Sequence, residues 1–344
     1  MGGPGAVGGD QGRSMHTRRT YKGAIAAFVL AVLMPLLGTT PASADPSSPA
    51  RLDHVEHLTD RRSALFVYSP SMNRIVQVQV LHPSGRGPRP TLYLLDGVSA
   101  GSESDYREST WTQKTDIVDF FADKKVNVVL PVGGTASYYT DWRNPDPVLG
   151  TNRWETFLTQ ELPPIVDAEF SGNGVDAIGG LSMGATGAMS LITRHPDRYE
   201  GVAALSGCLD ISRDSARDSV RGTVAYKGGN PDNMWGAPGD PAWKEHDPYT
   251  NAEALRGKDI YISTGNGLLG PYDLGADSDV LTVGAPLEAG AFTCTITFDR
   301  RLRELRIPAT VEYRPWGTHT WPYWQDDLRS AWPTLARALG LSER

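Results

Sequence analysis

The pentapeptide Gly180-Leu181-Ser182-Met183-Gly184 constrains this chain more than any other stretch of it. It matches G-x-S-x-G, the turn that carries a nucleophilic serine between a strand and a helix. Residues 175–179 before it form a short apolar run that reads as a strand, and residues 185–192 after it read as a helix stopped by Pro196. The chemistry needs this order of elements. A serine at the tip of a tight turn points its hydroxyl away from the sheet, and flanking glycines let the turn close without a Cβ clash. The helix behind it aims free N–H groups at the place where negative charge develops. The bland alternative is an ordinary Gly/Ser turn between strand and helix.

The rest of the chain repeats the alternation. Residues 91–95, 126–131, 175–179, 202–206, 259–264 and 309–313 read as buried strands. Residues 117–123, 154–170, 185–194, 295–305 and 324–339 read as helices. Strand alternating with helix predicts an α/β chain with a mostly parallel sheet flanked by helices. Ahead of it, residues 63–68 and 74–82 read as a hairpin-like antiparallel pair, Ile75, Val76, Val78 and Val80 interleaving with Gln77 and Gln79. Two antiparallel strands leading a parallel sheet predict an α/β-hydrolase fold. Residues 210–255 are rich in Gly, Pro and Trp and lack clear periodicity, which predicts an irregular insertion roofing the active site.

The chain's 344 residues divide into a leader and a catalytic domain. Residues 1–44 read as a signal peptide: a positive region with Arg18, Arg19 and Lys22, an apolar stretch at 24–37, and an Ala42-Ser43-Ala44 cleavage site that makes Asp45 the first mature residue. Thr17-Arg18-Arg19 hints at twin-arginine export, and Met15 is a second candidate start. An uncleaved membrane anchor is the competing reading. No other apolar run approaches the roughly 20 residues of a membrane span. Residues 45–60 read as a linker and 61–344 as one catalytic domain. The formal net charge is −7, and the leader holds four basic residues against one acid, so the remainder is more acidic still. That balance argues against a nucleic-acid partner. No C-x-x-C or H-E-x-x-H spacing occurs, so neither a metal nor a cofactor is expected. The two cysteines, Cys208 and Cys294, are expected to form a disulfide, because export permits oxidation; one follows the 202–206 strand and the other opens the 295–305 helix.

In the α/β-hydrolase fold the catalytic residues run serine, acid, histidine along the chain. Three histidines follow Ser182: His195 ends the nucleophile's own helix, His246 sits in the insertion, and His319 follows the last strand. His319 is therefore the expected general base. Asp273, Asp277, Asp279 and Glu288 all qualify as the acid by order alone. The oxyanion hole needs two backbone N–H groups, one from Met183 after the nucleophile and one from the Leu95-Asp96-Gly97-Val98 loop. A Trp-rich rim (Trp235, Trp243, Trp316, Trp321 and Trp324) is expected to stack on sugar, the competing reading being that at least some of these tryptophans fill the core or support the roof.

Several blocks together resemble the antigen 85 type mycolyltransferases, within the esterase D group. They are Tyr93-Leu94-Leu95-Asp96-Gly97, Pro131-Val132-Gly133-Gly134 with Ser137-Tyr138-Tyr139-Thr140-Asp141-Trp142, Trp154-Glu155-Thr156-Phe157-Leu158, the nucleophile block, Met234-Trp235-Gly236, Asp240-Pro241-Ala242-Trp243, and Gly317-Thr318-His319-Thr320-Trp321. The resemblance covers roughly residues 60–340. It implies a triad of Ser182, Glu288 and His319, because Leu287-Glu288 and Phe298 fit the family's spacing around its acid. It also implies an oxyanion hole from Val98 and Met183, with Asp96 and Trp321 binding a trehalose head group. The family arginine after the oxyanion-hole residue is replaced by Ser99. The implied function is an exported serine acyltransferase that moves a mycolyl group from trehalose monomycolate to a sugar hydroxyl, on trehalose monomycolate or arabinogalactan. The implied location is secreted or cell-envelope, as a monomer, with extracellular-matrix protein binding by family analogy. A secreted carboxylesterase with the same triad and a non-catalytic wall- or matrix-binding protein are the alternatives.

Overall fold

The computed structural model describes residues 1–2, 49–85, 87–275 and 277–343. The expected signal-peptide features and Asp45 lie outside the described residues. Among the described residues one sheet has nine strands: β1 (Arg51–Thr59), β2 (Arg62–Ser69), β3 (Arg74–Leu81), β4 (Arg89–Leu95), β5 (Asn127–Val132), β6 (Gly172–Leu181), β7 (Gly201–Leu205), β8 (Asp259–Thr264) and β9 (Thr310–Tyr313). Their spatial order is β1-β2-β3-β5-β4-β6-β7-β8-β9. The first three strands and the β3–β5 pair are antiparallel, and every pairing from β5 to β9 is parallel. This is the α/β-hydrolase arrangement expected above. The central strands are apolar without interruption because both of their faces are covered.

Alternate residues of those strands feed two cores. Tyr93, Ile178, Val202 and Ile262 pack on one face, beneath helix α2 (Met183–Arg194) and Phe298 and Leu302 of helix α4 (Ala285–Leu305). Leu92, Leu94, Ala177 and Leu205 pack on the other, against Trp324, Leu328, Trp332 and Leu335 of helix α5 (Trp321–Ala338). Helix α1 (Pro163–Phe170) follows a short helical turn at Trp154–Thr156 and a wide turn at Phe157–Glu161, in place of the single helix expected over 154–170.

Four expectations are corrected here. Residues 51–59, expected as linker, form edge strand β1, since Arg51–Thr59 finds a partner in β2 that sequence alone does not display. Helix α4 begins at Ala285, with Pro286 in its first turn, so Cys294 lies mid-helix and does not open it. The insertion is not irregular throughout. Helix α3 (Asp214–Tyr226) crosses it, burying Ala216, Val220 and Val224 at four-residue spacing. Only that narrow seam is apolar, which hides the helix from a periodicity reading. Against the expectation that no apolar run beyond the leader nears a membrane span, Val280–Leu305 is long and apolar enough to cross one by length and composition, yet here α4 lies on the sheet with Glu288 and Phe298 buried.

Candidate active site

β6 ends at Leu181, Ser182 takes φ 52° and ψ −120°, and α2 begins at Met183. That backbone conformation costs a non-glycine residue about 1–3 kcal/mol, and it persists where neighbours over-determine it. The neighbours here are specific. The Ser182 N–H donates to the Leu205 carbonyl at 2.8 Å. A Cβ on Gly184 would lie 2.4 Å from the Asp96 carbonyl oxygen, and one on Gly180 would lie 2.5 Å from the Gly184 backbone. Both glycines of the pentapeptide are therefore required by close backbone approach, one of them between the serine turn and the loop after β4.

Three sequence-distant side chains meet at that turn. His319 Nε2 lies 2.8 Å from Ser182 Oγ, and His319 Nδ1 lies 2.7 Å from Glu288 Oε2. A carboxylate only accepts, so Nδ1 donates to it and Nε2 is left to accept the serine proton. Glu288 is fully buried in the first turn of α4. Its other oxygen accepts from the Gly265 N–H at 2.6 Å, Ser206 Oγ at 2.8 Å and Arg314 Nη2 at 3.1 Å. Those donors follow β7, β8 and β9, so the carboxyl ends of successive parallel strands converge on one carboxylate. Arg314 is itself fixed by Asp327 on α5, 3.2 Å away.

The remaining candidates sort by geometry. Asp273 is buried but accepts from Thr318 Oγ at 2.6 Å and Tyr323 Oη at 2.7 Å, and so props the loop that carries His319. Asp277 and Asp279 are exposed. His195 lies 2.7 Å from Glu155, and His246 stacks on Trp235; both belong to a separate buried network.

Ser182 and His319 open into two clefts. One, of about 240 Å³, is lined by Asp96, Val98, Ser99, Glu103, Trp321 and Trp324. The other, of about 370 Å³, runs between α3 and α4 past Met183, Ser219, Val220, Leu287 and Ala291. The insertion thus walls the cleft through α3. Neither the Val98 nor the Met183 N–H donates to any group among the described residues, which leaves both free for an oxyanion. Asp96 is buried; its oxygens accept from the Gly97 and Thr110 N–H groups, and burial pushes its carboxyl up to about 6 against those bonds.

Cys208 and Cys294 are joined in a disulfide that ties the segment after β7 to α4. The Trp-rich rim is corrected. Trp235 and Trp243 are buried, with their indole N–H groups on Thr140 and the Gly236 carbonyl, and Trp324 is buried against Trp321 and His319. Trp316 is exposed and Trp321 half-buried. Sequence reasoning missed Ser206, Gly265 and Arg314. Their one signal is position, each lying just past the end of a strand.

The arrangement can run nucleophilic acyl transfer, and known proteins bear on which kind. The Esterase family model matches residues 69–335. The chain is 34% identical over 332 residues to diacylglycerol acyltransferase/mycolyltransferase Ag85A of Mycobacterium tuberculosis, covering 94% of this chain and 92% of the relative. It is also 34% identical to Ag85B of Mycolicibacterium smegmatis, over 96% of this chain and 99% of the relative. Among solved structures, MPT51 (FbpC1) of Mycobacterium tuberculosis superposes with a TM-score of 0.68 at 28% identity, covering 80% of this chain and 97% of that one.

Proposed function

Because this chain belongs to the Esterase family and, within it, to the antigen 85 type mycolyltransferases, we propose that it is an exported enzyme carrying a mycolyl group from trehalose monomycolate to a sugar hydroxyl, through an ester on Ser182. The observation that carries this reading is the hydrogen-bonded line Glu288–His319–Ser182, open to two clefts, one lined by Asp96 and Trp321 and the other running between α3 and α4. The steps follow from the geometry. Ser182 Oγ attacks the ester carbonyl carbon while His319 Nε2 takes its proton, and the Val98 and Met183 N–H groups receive the oxyanion. Collapse breaks the ester bond, and His319 returns the proton to the departing trehalose. An acceptor hydroxyl then gives its proton to His319 and attacks the acyl-serine; the bond to Ser182 Oγ breaks, His319 returns the proton to Ser182, and the acceptor leaves as the new ester. Asp96 and Trp321 hold the sugar in the smaller cleft, and the acyl chain lies between α3 and α4. The acceptor is trehalose monomycolate or arabinan, and the leader and the disulfide support export.

Hydrolysis is the second reading, and Ser99 favours it. Where the family carries an arginine beside the oxyanion loop this chain has a serine, so one charged contact to an acceptor hydroxyl is missing. Incubating the pure protein with trehalose monomycolate decides between them. Acylated trehalose among the products, with deacylation accelerated by added trehalose, is the expected outcome. Free acid as the sole product, with a short-chain ester assay unmoved by trehalose, makes the protein an esterase.

A further inference from the structure

A cleft of about 530 Å³, larger than either cleft at Ser182, lies on another part of the surface. Its walls come from β3, the end of β5 and the loop around residue 150, with Arg74, Gln77, Tyr106, Thr135, Asn152 and Trp154 facing it. Arg74 is the one charged residue of the lining.

That guanidinium is half-buried and has no carboxylate within ion-pairing distance among the described residues. It lies over the Trp154 ring, 5.7 Å from its centroid, and Nη2 donates only to the Met72 thioether at 3.4 Å. Thioether sulfur is a weak acceptor. Other half-buried arginines have strong acceptors: Arg62 pairs with Glu108, Arg198 with Asp176, and Arg314 with both Glu288 and Asp327, while Arg89 donates to the Pro83, Gly85 and Gly87 carbonyls. Asp146, on the loop that forms one wall, is already consumed. It accepts from the N–H groups of Val148, Leu149 and Asn230 and from the Asn233 amide. Burial lowers the Arg74 pKa, and the Tyr106 phenol is the one group opposing the shift. A half-buried guanidinium that faces a cleft without a carboxylate partner keeps its planar fork available to an incoming anion.

The other polar groups of the lining are committed, apart from one oxygen of Gln77. Tyr106 Oη donates to Thr135 Oγ, which donates to the Ser99 carbonyl, each at 2.9 Å. The Asn152 amide accepts from Trp154 Nε1 and donates to the Leu149 carbonyl. Gln77 Nε2 donates to the Arg107 carbonyl, and among the described residues its Oε1 accepts from no group. The cleft therefore offers one planar cationic fork and one amide oxygen, in a space within the roughly 300–1,000 Å³ of small-molecule sites.

We propose that this cleft binds an anionic small molecule, a carboxylate or phosphate on a hydroxyl-bearing body of sugar size, with the anion on Arg74 and a hydroxyl on Gln77. The site is separate from Ser182, and its existence does not depend on which acyl acceptor the enzyme uses. It does abut the catalytic loop, because Thr135 and the Ala136 N–H hold the Ser99 and Val98 carbonyls.

Titration calorimetry tests this with glucose 6-phosphate, glucuronate and inorganic phosphate, and with glucose as the uncharged control. The full chain is expected to bind the anions saturably and glucose not at all. Arg74→Gln removes the fork, and Gln77→Glu places a carboxylate in the cleft while leaving the Arg74–Trp154 stack in place. Each is expected to weaken anion binding by about tenfold or more. Tighter binding of glucose 6-phosphate than of phosphate shows that the sugar body is recognised; equal affinity shows a site for the oxyanion alone and removes the sugar body from the proposal. Absence of saturable binding by the wild type, or undiminished binding by Gln77→Glu, overturns the site, and the second variant carries that test even if Arg74→Gln fails to fold.

Discussion

At Ser182 the backbone is strained and the side chain is held by one hydrogen bond, to His319. Ser182→Ala is therefore expected to abolish ester turnover with little change in melting temperature, and a serine-directed phosphonate should label Ser182; label on another serine would refute the assignment. Glu288 is different, because five donors (Ser206, Thr264, Gly265, Arg314 and His319) converge on its two buried oxygens. Glu288→Gln turns an amide N–H toward groups that are themselves donors. A loss of about 10⁴ in kcat is expected, against a much smaller loss for Asp273→Asn, and steady-state kinetics on both variants measures the contrast. Asp96 makes a pH prediction. Its carboxyl is raised to about 6 in the fold, above the roughly 3.9 of an unfolded chain. Between those values the native state holds more protons than the unfolded one, so stability falls as pH rises through the window. Wild type should lose melting temperature from about pH 4 to pH 6 relative to Asp96→Asn, and calorimetry that shows parallel curves would contradict it.

Among elements, the turn between β6 and α2 depends on what the loop after β4 leaves room for. A methyl at Gly184 has no space beside the Asp96 carbonyl. Gly184→Ala should destabilise the fold by about 1–3 kcal/mol and shift the elbow, which urea denaturation and activity together would register. Helix α3 makes a second prediction. Ser219 faces the cleft opposite Leu287, and its hydroxyl is satisfied by the Ser215 carbonyl of its own helix. Ser219→Trp should fill that space and lower the preference for long-chain over short-chain esters by about tenfold, since chain length is read by apolar contact there. Unchanged chain-length selectivity would place the acyl group elsewhere.

Across the whole molecule, the Cys208–Cys294 bridge closes a loop of 86 residues that includes α3, β8 and the start of α4. It spans the segment that supplies Ser206 and the helix that supplies Glu288, so it constrains the unfolded chain and both sides of the carboxylate site. Replacing both cysteines with serine is expected to cost about 4–5 kcal/mol, with the loss read from chemical denaturation. Alkylation of two thiols in unreduced protein would show the bridge absent.

Local patterning was enough for much of this. The pentapeptide at 180–184, the alternation of apolar runs with helices and the residue order pointed to the α/β-hydrolase sheet and to Ser182 and His319, which the fold brings within 2.8 Å of each other, because side-chain periodicity and turn chemistry act over a few residues. The same signals left four acids open. Resemblance to a family pointed to Glu288, and the structure brings that residue to His319 while setting Asp273 beneath the loop, a distinction of distance that spacing in the chain does not contain. Nor did periodicity find β1, α3 or the early start of α4, since an edge strand needs its partner, a helix with a thin apolar seam needs a wall to lie on, and Ala285–Ala291 turn helical against the sheet. Tryptophan count suggested a sugar rim, yet packing took Trp235 and Trp243 into the interior and left Trp321 and Trp324 on the wall of the cleft at Ser182. Strand order and burial alone decided that the carboxyl ends of β7, β8 and β9 would deliver Ser206, Gly265 and Arg314 to one carboxylate, because hydrogen bonds between residues tens of positions apart exist only once the sheet has closed.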